Sequence, residues 1–274
     1  KDWPAYGSVI SYLDGHSPRK TEHPFPPYVY LPRLLGHFAG YDINGQYAGW
    51  LGKAWDPLAT AIQKRDAADN PYFRDCTDDE LNFCFAGLDP LPTVTLDRIN
   101  GRRGLLQQLD AQRRLLEQSS GVRTLSAQRE QAMNLLMSGD VARALDLRHE
   151  PDDLRDRYGR NLFGQSLLMA RRLIEAGVRV VGFNWGSWDT HSNNFNHLRG
   201  QLPNLDRSLH ALLEDLSARG MDKDVTVVVW GEFGRTPRVN KNKGGRDHWY
   251  EVAMCFLAGG GMKNGQVIGK SSRN

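Results

Sequence analysis

Residues 161–257 alternate between helical and strand-like patterns, and this alternation constrains the fold more than any other feature of the sequence. Apolar residues recur at helical spacing over 161–176, and Gly177 follows as a stop signal. A short run rich in β-branched residues comes next, followed by a second amphipathic helix and two further apolar runs. In chain order we predict helix, strand, helix, strand and strand over residues 161–176, 178–184, 202–219, 225–230 and 252–257.

This order is typical of an α/β fold, in which helices cross over between neighbouring parallel strands. We therefore predict a mostly parallel sheet flanked by helices. Residues 225–230 are apolar throughout, which predicts a strand that is covered on both faces. The length of 274 residues is enough for one large α/β domain, or for one domain with a sizeable insertion.

The first 92 residues differ in composition from the rest of the chain. Prolines, glycines and aromatic residues alternate over 17–52, which predicts mostly irregular chain held by aromatic anchors. Only 5–13 and 81–87 have the pattern of short helices. We predict an irregular layer over residues 1–92, packed on an α/β core over residues 93–274. This layer either covers the core as a surface elaboration or forms the rim of a pocket.

Charge and cysteine content exclude several classes of protein. The net charge of +3 is too small to indicate a surface for nucleic acid or anionic membrane. Arginines in the helical stretch 105–149 alternate with acids, as on a solvated helix face. No run of 18 apolar residues exists, so no membrane span is predicted. Three cysteines are too few for a disulfide framework; a Cys76–Cys84 bond and simple burial both remain open.

Charged and imidazole side chains follow the predicted strands. If the strands at 178–184 and 225–230 are parallel and joined by the intervening helix, their carboxyl ends meet at one sheet edge, where open α/β sheets bind ligands. The residues that follow these ends, or that lie in the loop before the third strand, include Asp189, His191, Glu232, Arg235, Arg246, Asp247 and His248. The sequence therefore predicts a functional site at this edge.

These residue types indicate a metal site. Asp189 and His191 are two residues apart, so in extended chain both side chains point to the same side and reach one cation. His248, Asp247 and Glu232 are predicted as further ligands. Nitrogen and oxygen donors without thiolate suit Zn²⁺, with Mn²⁺ or Fe as alternatives. Taken singly, each pattern also fits a loop aspartate that caps backbone N–H groups, or a salt-bridged turn.

Two arginines accompany the predicted ligands. Arg235 and Arg246 bring planar, permanently charged guanidinium groups, which bind phosphate or sulfate through paired hydrogen bonds. We predict that both have catalytic roles and stabilise negative charge on a small anionic substrate.

Several stretches resemble the DUF1501 family: VRVVGFNWGSWDTHSNNF at 178–195, LPNLDRSL at 202–209, GEFGRTP at 231–237 and GRDHW at 245–249. DWPAYGSV at 2–9 and GWLGKAWDPL at 49–58 extend the resemblance over essentially the whole chain. The resemblance implies a fold similar to the alkaline phosphatase and sulfatase superfamily, whose enzymes hydrolyse phosphate or sulfate esters with one or two divalent metals. It also implies an exported or periplasmic location.

By resemblance, Asp189 and His191 match the Asp/His ligands of one metal, Glu232 stands at an aspartate position, and His248 stands at a late histidine ligand. Phe233 occupies the place of a second histidine in many relatives, which weakens a two-metal site. The resemblance also implies an earlier strand and loop with a metal-binding carboxylate and a Ser/Thr nucleophile. We expect this chain to be the carboxyl-terminal part of a longer protein, without that segment.

Two functions follow as expectations. The first is a metal-dependent hydrolase of ester bonds, in which the metal activates a water and polarises the ester oxygen. The second is a non-catalytic binding or surface-assembly module that retains a structural metal loop and uses the aromatic residues of 1–92 as its contact surface.

Overall fold

The computed structural model describes residues 2–17, 25–34, 45–62, 71–85, 135, 138–185, 188–241 and 243–270. The chain divides into two units. The first unit comprises 1–71, 76–151 and 169–184, and the second comprises 72–75, 152–168 and 185–274. The boundary predicted at residues 92–93 lies outside the described residues, as does most of the predicted helical stretch 105–149.

The described residues contain five α-helices and eight strands. The helices are α1 (Tyr6–Gly15), α2 (Gly139–Leu145), α3 (Asp152–Tyr158), α4 (Leu162–Glu175) and α5 (Asn194–Ala218). The strands are β1 (Tyr28–Leu31), β2 (Leu58–Ala61), β3 (Cys84–Phe85), β4 (Val180–Phe183), β5 (Thr226–Trp230), β6 (Gly234–Arg235), β7 (His248–Trp249) and β8 (Cys255–Gly259). Short 3₁₀ turns occur at Gly49–Leu51, Lys53–Trp55 and Leu147–His149.

The first unit contains a four-stranded, mostly parallel sheet in the order β3-β2-β1-β4. β1 is parallel to both β2 and β4, and β3 is antiparallel to β2. This confirms the predicted α/β class with a mostly parallel sheet. β1 is an interior strand, and Val29 and Leu31 are fully buried in it. The proline-rich segment predicted to be mostly irregular therefore also supplies the centre of this sheet.

Helix α1 contacts the same sheet through its smallest residues. A Cβ atom at Gly7 would lie 2.5 Å from the ring of Tyr28, so glycine is what allows helix and strand to approach so closely. Ser8 and Ser11 are buried beside it. The short helix predicted at 5–13 is thus confirmed by α1. The helix predicted at 81–87 is wrong, because Cys84–Phe85 pairs with β2 as a strand.

The strand predicted at 225–230 exists as β5, but its environment differs from the prediction. β5 pairs antiparallel with β8 in a separate two-stranded sheet, whereas β4 pairs with β1. Val228 and Trp230 are exposed, so β5 is not covered on both faces. A continuous apolar run is compatible with a buried parallel strand and with an antiparallel ribbon, and only its pairing partner distinguishes the two.

The helices predicted at 161–176 and 202–219 are confirmed with shifted ends. α4 ends as predicted: Gly177 has a φ of 100°, and the backbone N–H of Val178 donates to Leu173 O at 3.0 Å. α5 begins at Asn194 rather than near 202, and it continues through Pro203. Within the part of the chain that the structure describes, no helix combines the length and apolarity that a bilayer crossing requires. All three cysteines are free thiols.

In the second unit, α3 and α5 are connected by a fully buried tyrosine. The hydroxyl of Tyr158 donates to Asp215 Oδ2 at 3.0 Å, and the hydroxyl of Ser208 donates to the Tyr158 carbonyl at 2.9 Å. Arg219 Nε donates to the other oxygen of Asp215 at 2.8 Å. This network holds α5 in place, and the loop that precedes α5 carries two of the predicted metal ligands.

In the first unit, a buried carboxylate joins α4 to the segment that follows α2. Glu150 Oε2 lies 2.7 Å from Arg171 Nη2, and its other oxygen contacts Arg172 Nη1. Arg172 Nε also donates to Ala144 O at 2.9 Å. Burial opposes ionisation of Glu150, but the two arginines outweigh burial and lower its pKa. Glu150 thus pairs with two buried positive charges, of which Arg171 also pairs with Glu175 at 2.5 Å.

We predict that Glu150→Gln lowers the free energy of unfolding by about 3–5 kcal/mol, because it leaves the buried guanidinium of Arg172 without a carboxylate and Arg171 with Glu175 alone. Urea unfolding followed by circular dichroism measures this loss. The matched control is Asp14→Asn, which removes a surface ion pair with Arg179 (3.6 Å) and should cost no more than about 1 kcal/mol. Equal losses in the two variants would contradict the prediction.

Candidate metal centre

The predicted site residues lie in the second unit, on two loops that are hydrogen-bonded to each other through their backbones. Asn193 N donates to Lys243 O at 3.1 Å, and Arg246 N donates to Thr190 O at 3.0 Å. A third bond joins Asn194 N to Gly244 O at 3.3 Å. These bonds place the chain around Asp189 beside the chain around His248.

The two loops can approach closely because residue 245 is glycine. A Cβ atom at this position would lie 1.8 Å from the carbonyl oxygen of His191, a separation that real atoms do not adopt. Any side chain at residue 245 would therefore push the loops apart. Gly245, which directly precedes the Arg-Asp-His sequence, thus has a structural function that the motif alone does not reveal.

A short ladder brings the second histidine and the arginine together. β6 and β7 are antiparallel, and Arg235 is the register partner of His248. The imidazole of His248 also packs against the ring of Phe233, with ring centroids 4.6 Å apart. Phe233, which the resemblance places where many relatives have a histidine, therefore supports His248 through an apolar contact.

Three ligand atoms converge in this arrangement. His191 Nε2 lies 3.0 Å and His248 Nε2 lies 2.9 Å from Asp189 Oδ1, and the two nitrogens are 3.1 Å apart. Ligands of one Zn²⁺ ion are about 3.3 Å apart in tetrahedral geometry, or about 2.9 Å at adjacent octahedral positions, given bonds of about 2.0–2.1 Å. The spacing therefore fits one face of a metal coordination sphere.

This triad is open to solvent. The side chains of Asp189, His191 and His248 are 63%, 47% and 40% exposed. Structural zinc sites are closed by four protein ligands, whereas catalytic sites have three and keep one position open. Among the described residues, this is the one group of histidine, cysteine and carboxylate side chains with the spacing of a metal site.

The charge of Asp189 is set by its neighbours. Arg235 Nη2 contacts Asp189 Oδ1, and this hydrogen bond, together with that of His248, lowers the pKa of Asp189 to about 2. Arg235 is itself fixed, because its Nη1 donates to Arg246 O at 3.0 Å. Asp189 is therefore ionised at any ordinary pH, as a metal ligand must be.

Asp247 lies next to the triad rather than in it. Its Oδ1 is 3.3 Å from the Nδ1 atom of His191, on the far side of the imidazole from Asp189. It also accepts a hydrogen bond from Asn240 Nδ2 at 3.0 Å. These contacts, that of Asn240 first, lower the pKa of Asp247. Asp247 therefore contacts the candidate ligand His191, and it does not lie where the ligand atoms of Asp189, His191 and His248 converge.

The remaining predicted residues are placed differently. Arg246 Nε donates to Thr236 O at 2.7 Å, which fixes the chain between β6 and β7. Glu232 is exposed on the segment between β5 and β6 and is not part of the described triad. Asn240, which the sequence analysis did not identify, contacts both Asp247 and the backbone of His191. A single asparagine in a polar loop carries no pattern that would have marked it.

The convergence of Asp189, His191 and His248 was predicted, but the reason was wrong. The prediction relied on two parallel strands that end at a shared sheet edge, and β4 and β5 belong to different sheets. Loop-to-loop hydrogen bonds and the β6–β7 ladder bring the ligands together instead.

Fold and site together define a mixed α/β protein with a candidate mononuclear metal centre of two histidines and one aspartate. The chain belongs to the DUF1501 family: the family model, described as "Protein of unknown function (DUF1501)", matches residues 1–273. No curated protein and no solved structure matches the chain.

We predict that Gly245→Ala weakens Zn²⁺ binding at least tenfold and destabilises the protein by about 1–3 kcal/mol, because the added methyl group collides with the backbone of His191. Competition with a chromophoric chelator measures the affinity, and urea unfolding measures the stability. Gly200→Ala is the control, since a Cβ atom at that helical position meets nothing within 4 Å. Wild-type affinity in Gly245→Ala would be contrary to the prediction.

We further predict that Arg235→Gln raises the pKa of Asp189 from about 2 toward its ordinary value of 3.8. The variant keeps a hydrogen-bond donor but removes the positive charge that favours the carboxylate. Carboxyl ¹³C chemical shifts, followed in a pH titration of metal-free protein, report this pKa directly. The exposed Arg238→Gln serves as control and should leave the titration of Asp189 where it is.

Proposed function

We propose that this protein is a metal-dependent hydrolase of ester bonds, with Asp189, His191 and His248 as the metal ligands. One observation carries the proposal: three ligand atoms of the types that zinc prefers lie within 3.1 Å of one another at an exposed position. A closed, four-ligand geometry would instead favour a purely structural ion.

The donor set supports a divalent ion of borderline softness. Two imidazole nitrogens and one carboxylate oxygen suit Zn²⁺, and Mn²⁺ or Fe are the alternatives. The lowered pKa of Asp189 keeps this carboxylate ionised, as metal coordination requires. Bound at this place, the ion would supply a Lewis acid that polarises an ester oxygen and lowers the pKa of a water to about 7.

The chain's own residues would hold and orient the substrate. Arg235 places a fixed positive charge at Asp189, which favours the approach of a substrate with negative oxygens. Arg246 holds the backbone between β6 and β7 through Thr236, so its contribution to catalysis would be to keep Arg235 and His248 in position. We propose a phosphate or sulfate ester as substrate, on the basis of the resemblance to the alkaline phosphatase and sulfatase superfamily.

The experiment is a panel of chromogenic phosphate, sulfate and carboxylate esters, assayed with Zn²⁺-, Mn²⁺- and Fe²⁺-loaded protein. We predict that Asp189→Ala and His248→Ala each reduce turnover at least 100-fold, because each removes one of three ligands. His210→Ala is the matched control: its histidine is exposed and pairs with Glu214 at 3.4 Å, outside the triad. Elemental analysis of every sample records whether the ion is present.

Two results would contradict the proposal. One is a wild-type protein that binds no divalent ion. The other is a metal-loaded protein that turns over none of the esters, or that keeps its activity in both ligand variants.

A second candidate is a non-catalytic binding module that retains the metal loop as a structural clip. The observation in its favour is the exposure of large aromatic residues in the first unit, including Trp3, Tyr6 and Trp50. Exposed tryptophan and tyrosine are typical of contact surfaces between proteins. Bound metal without turnover in the ester panel would support this candidate over the hydrolase.

A further inference from the structure

The two nitrogens of the His191 imidazole face two different groups. Nε2 lies in the triad, 3.0 Å from Asp189 Oδ1, and Nδ1 lies 3.3 Å from Asp247 Oδ1. The ring is thus held between two carboxylates, of which one belongs to the candidate metal ligands and one does not.

We infer that Asp247, held by Asn240, is a positioning residue that fixes the ring orientation of His191 for metal binding by accepting a hydrogen bond from its Nδ1–H. This inference rests on the proposed function, because it assigns a role around the same ion. It differs from the sequence prediction, in which Asp247 is itself a ligand.

In the metal-free protein both nitrogens of His191 face an ionised carboxylate, and a carboxylate only accepts hydrogen bonds. When an ion is bound to Nε2, the one proton of the neutral imidazole is on Nδ1. Asp247 Oδ1, 3.3 Å away, is placed to accept the hydrogen bond from this Nδ1–H. A histidine that binds a metal through one nitrogen usually donates its other N–H to a carboxylate or carbonyl, and this partner strengthens the ligand.

Asp247 is suited to this role because it is itself held in place. Asn240 Nδ2 lies 3.0 Å from Asp247 Oδ1 and also 3.0 Å from the carbonyl oxygen of His191. One amide group therefore joins the carboxylate to the backbone of the histidine that the carboxylate orients. The backbone N–H of Asp247 donates to Thr236 Oγ1 at 3.1 Å, which fixes the other side.

The two histidines of the triad are oriented by different means. His191 has a charged hydrogen-bond acceptor on Nδ1, whereas His248 packs against the ring of Phe233 and pairs across the β6–β7 ladder. Removal of the Asp247 charge should therefore affect His191 and leave the placement of His248 intact.

The first test uses protein loaded with Zn²⁺ alone, because an ion on Nε2 leaves the proton of His191 on Nδ1. Long-range ¹H–¹⁵N NMR of the His191 imidazole follows this Nδ1–H and its exchange with solvent. We expect a slowly exchanging Nδ1–H in the wild type, and faster exchange in Asp247→Asn and Asp247→Ala.

The second test titrates Co²⁺ alone into the metal-free forms of the same proteins and records the visible absorption spectrum. We expect Asp247→Asn and Asp247→Ala to bind Co²⁺ about 10–100-fold more weakly than the wild type, with an altered spectrum, as is typical of the loss of such a partner. Asn240→Ala should show a smaller loss of affinity. Glu251→Gln removes an exposed carboxylate three residues from His248 and should bind like the wild type.

The results test the role of Asp247 and the proposed metal site separately. Wild-type Co²⁺ affinity and wild-type Nδ1–H exchange in Asp247→Asn would overturn the role of Asp247 and leave the proposed metal site intact. A wild-type protein that does not bind Co²⁺ would overturn the proposed function itself. Asp247→Asn, which is nearly isosteric, decides the matter if Asp247→Ala unfolds, and equal thermal midpoints of the metal-free proteins exclude a general loss of structure.

Discussion

The candidate site depends on a set of backbone hydrogen bonds between residues 190–194 and residues 243–246. These bonds join segments about fifty positions apart, and they are directional, so they fix both the distance and the relative orientation of the two loops. Gly245 sets how closely the loops approach, because its missing side chain leaves room for the carbonyl of His191. The side chains of Asp189 and His248, which these loops carry, therefore lie within hydrogen-bonding distance.

Charged contacts of Asp189 hold together the side chains that the two loops bring close. Asp189 receives contacts from an arginine and from two histidines, so a single carboxylate organises every nitrogen group around it. A divalent ion would likewise hold these side chains together, and it would compete with Arg235 for Asp189 Oδ1. The positive charge of Arg235 therefore stabilises the metal-free arrangement and weakens the affinity of Asp189 for an ion.

Sequence patterns predicted α1, α4 and α5, missed α3 and predicted the strand pairing poorly, for a physical reason. α4 has an apolar stripe and a glycine stop, both of which are local signals. β1 is four residues long and lies among prolines, and the partner of β5 is set by long-range contacts that leave no local pattern. Asp189, His191 and His248 were identifiable by residue type, whereas Asn240 and Gly245 act only through the geometry of the assembled loops.

The exposure of the triad has a practical consequence for anyone who isolates the protein. An ion held by three accessible side chains exchanges with the surrounding medium without unfolding of the chain, since one side of its coordination sphere faces water. Chelators in a lysis buffer or nickel from an affinity resin would therefore determine what occupies the site after purification. Under the proposed function, samples handled without added metal or chelator therefore best represent the occupancy of the site in the cell.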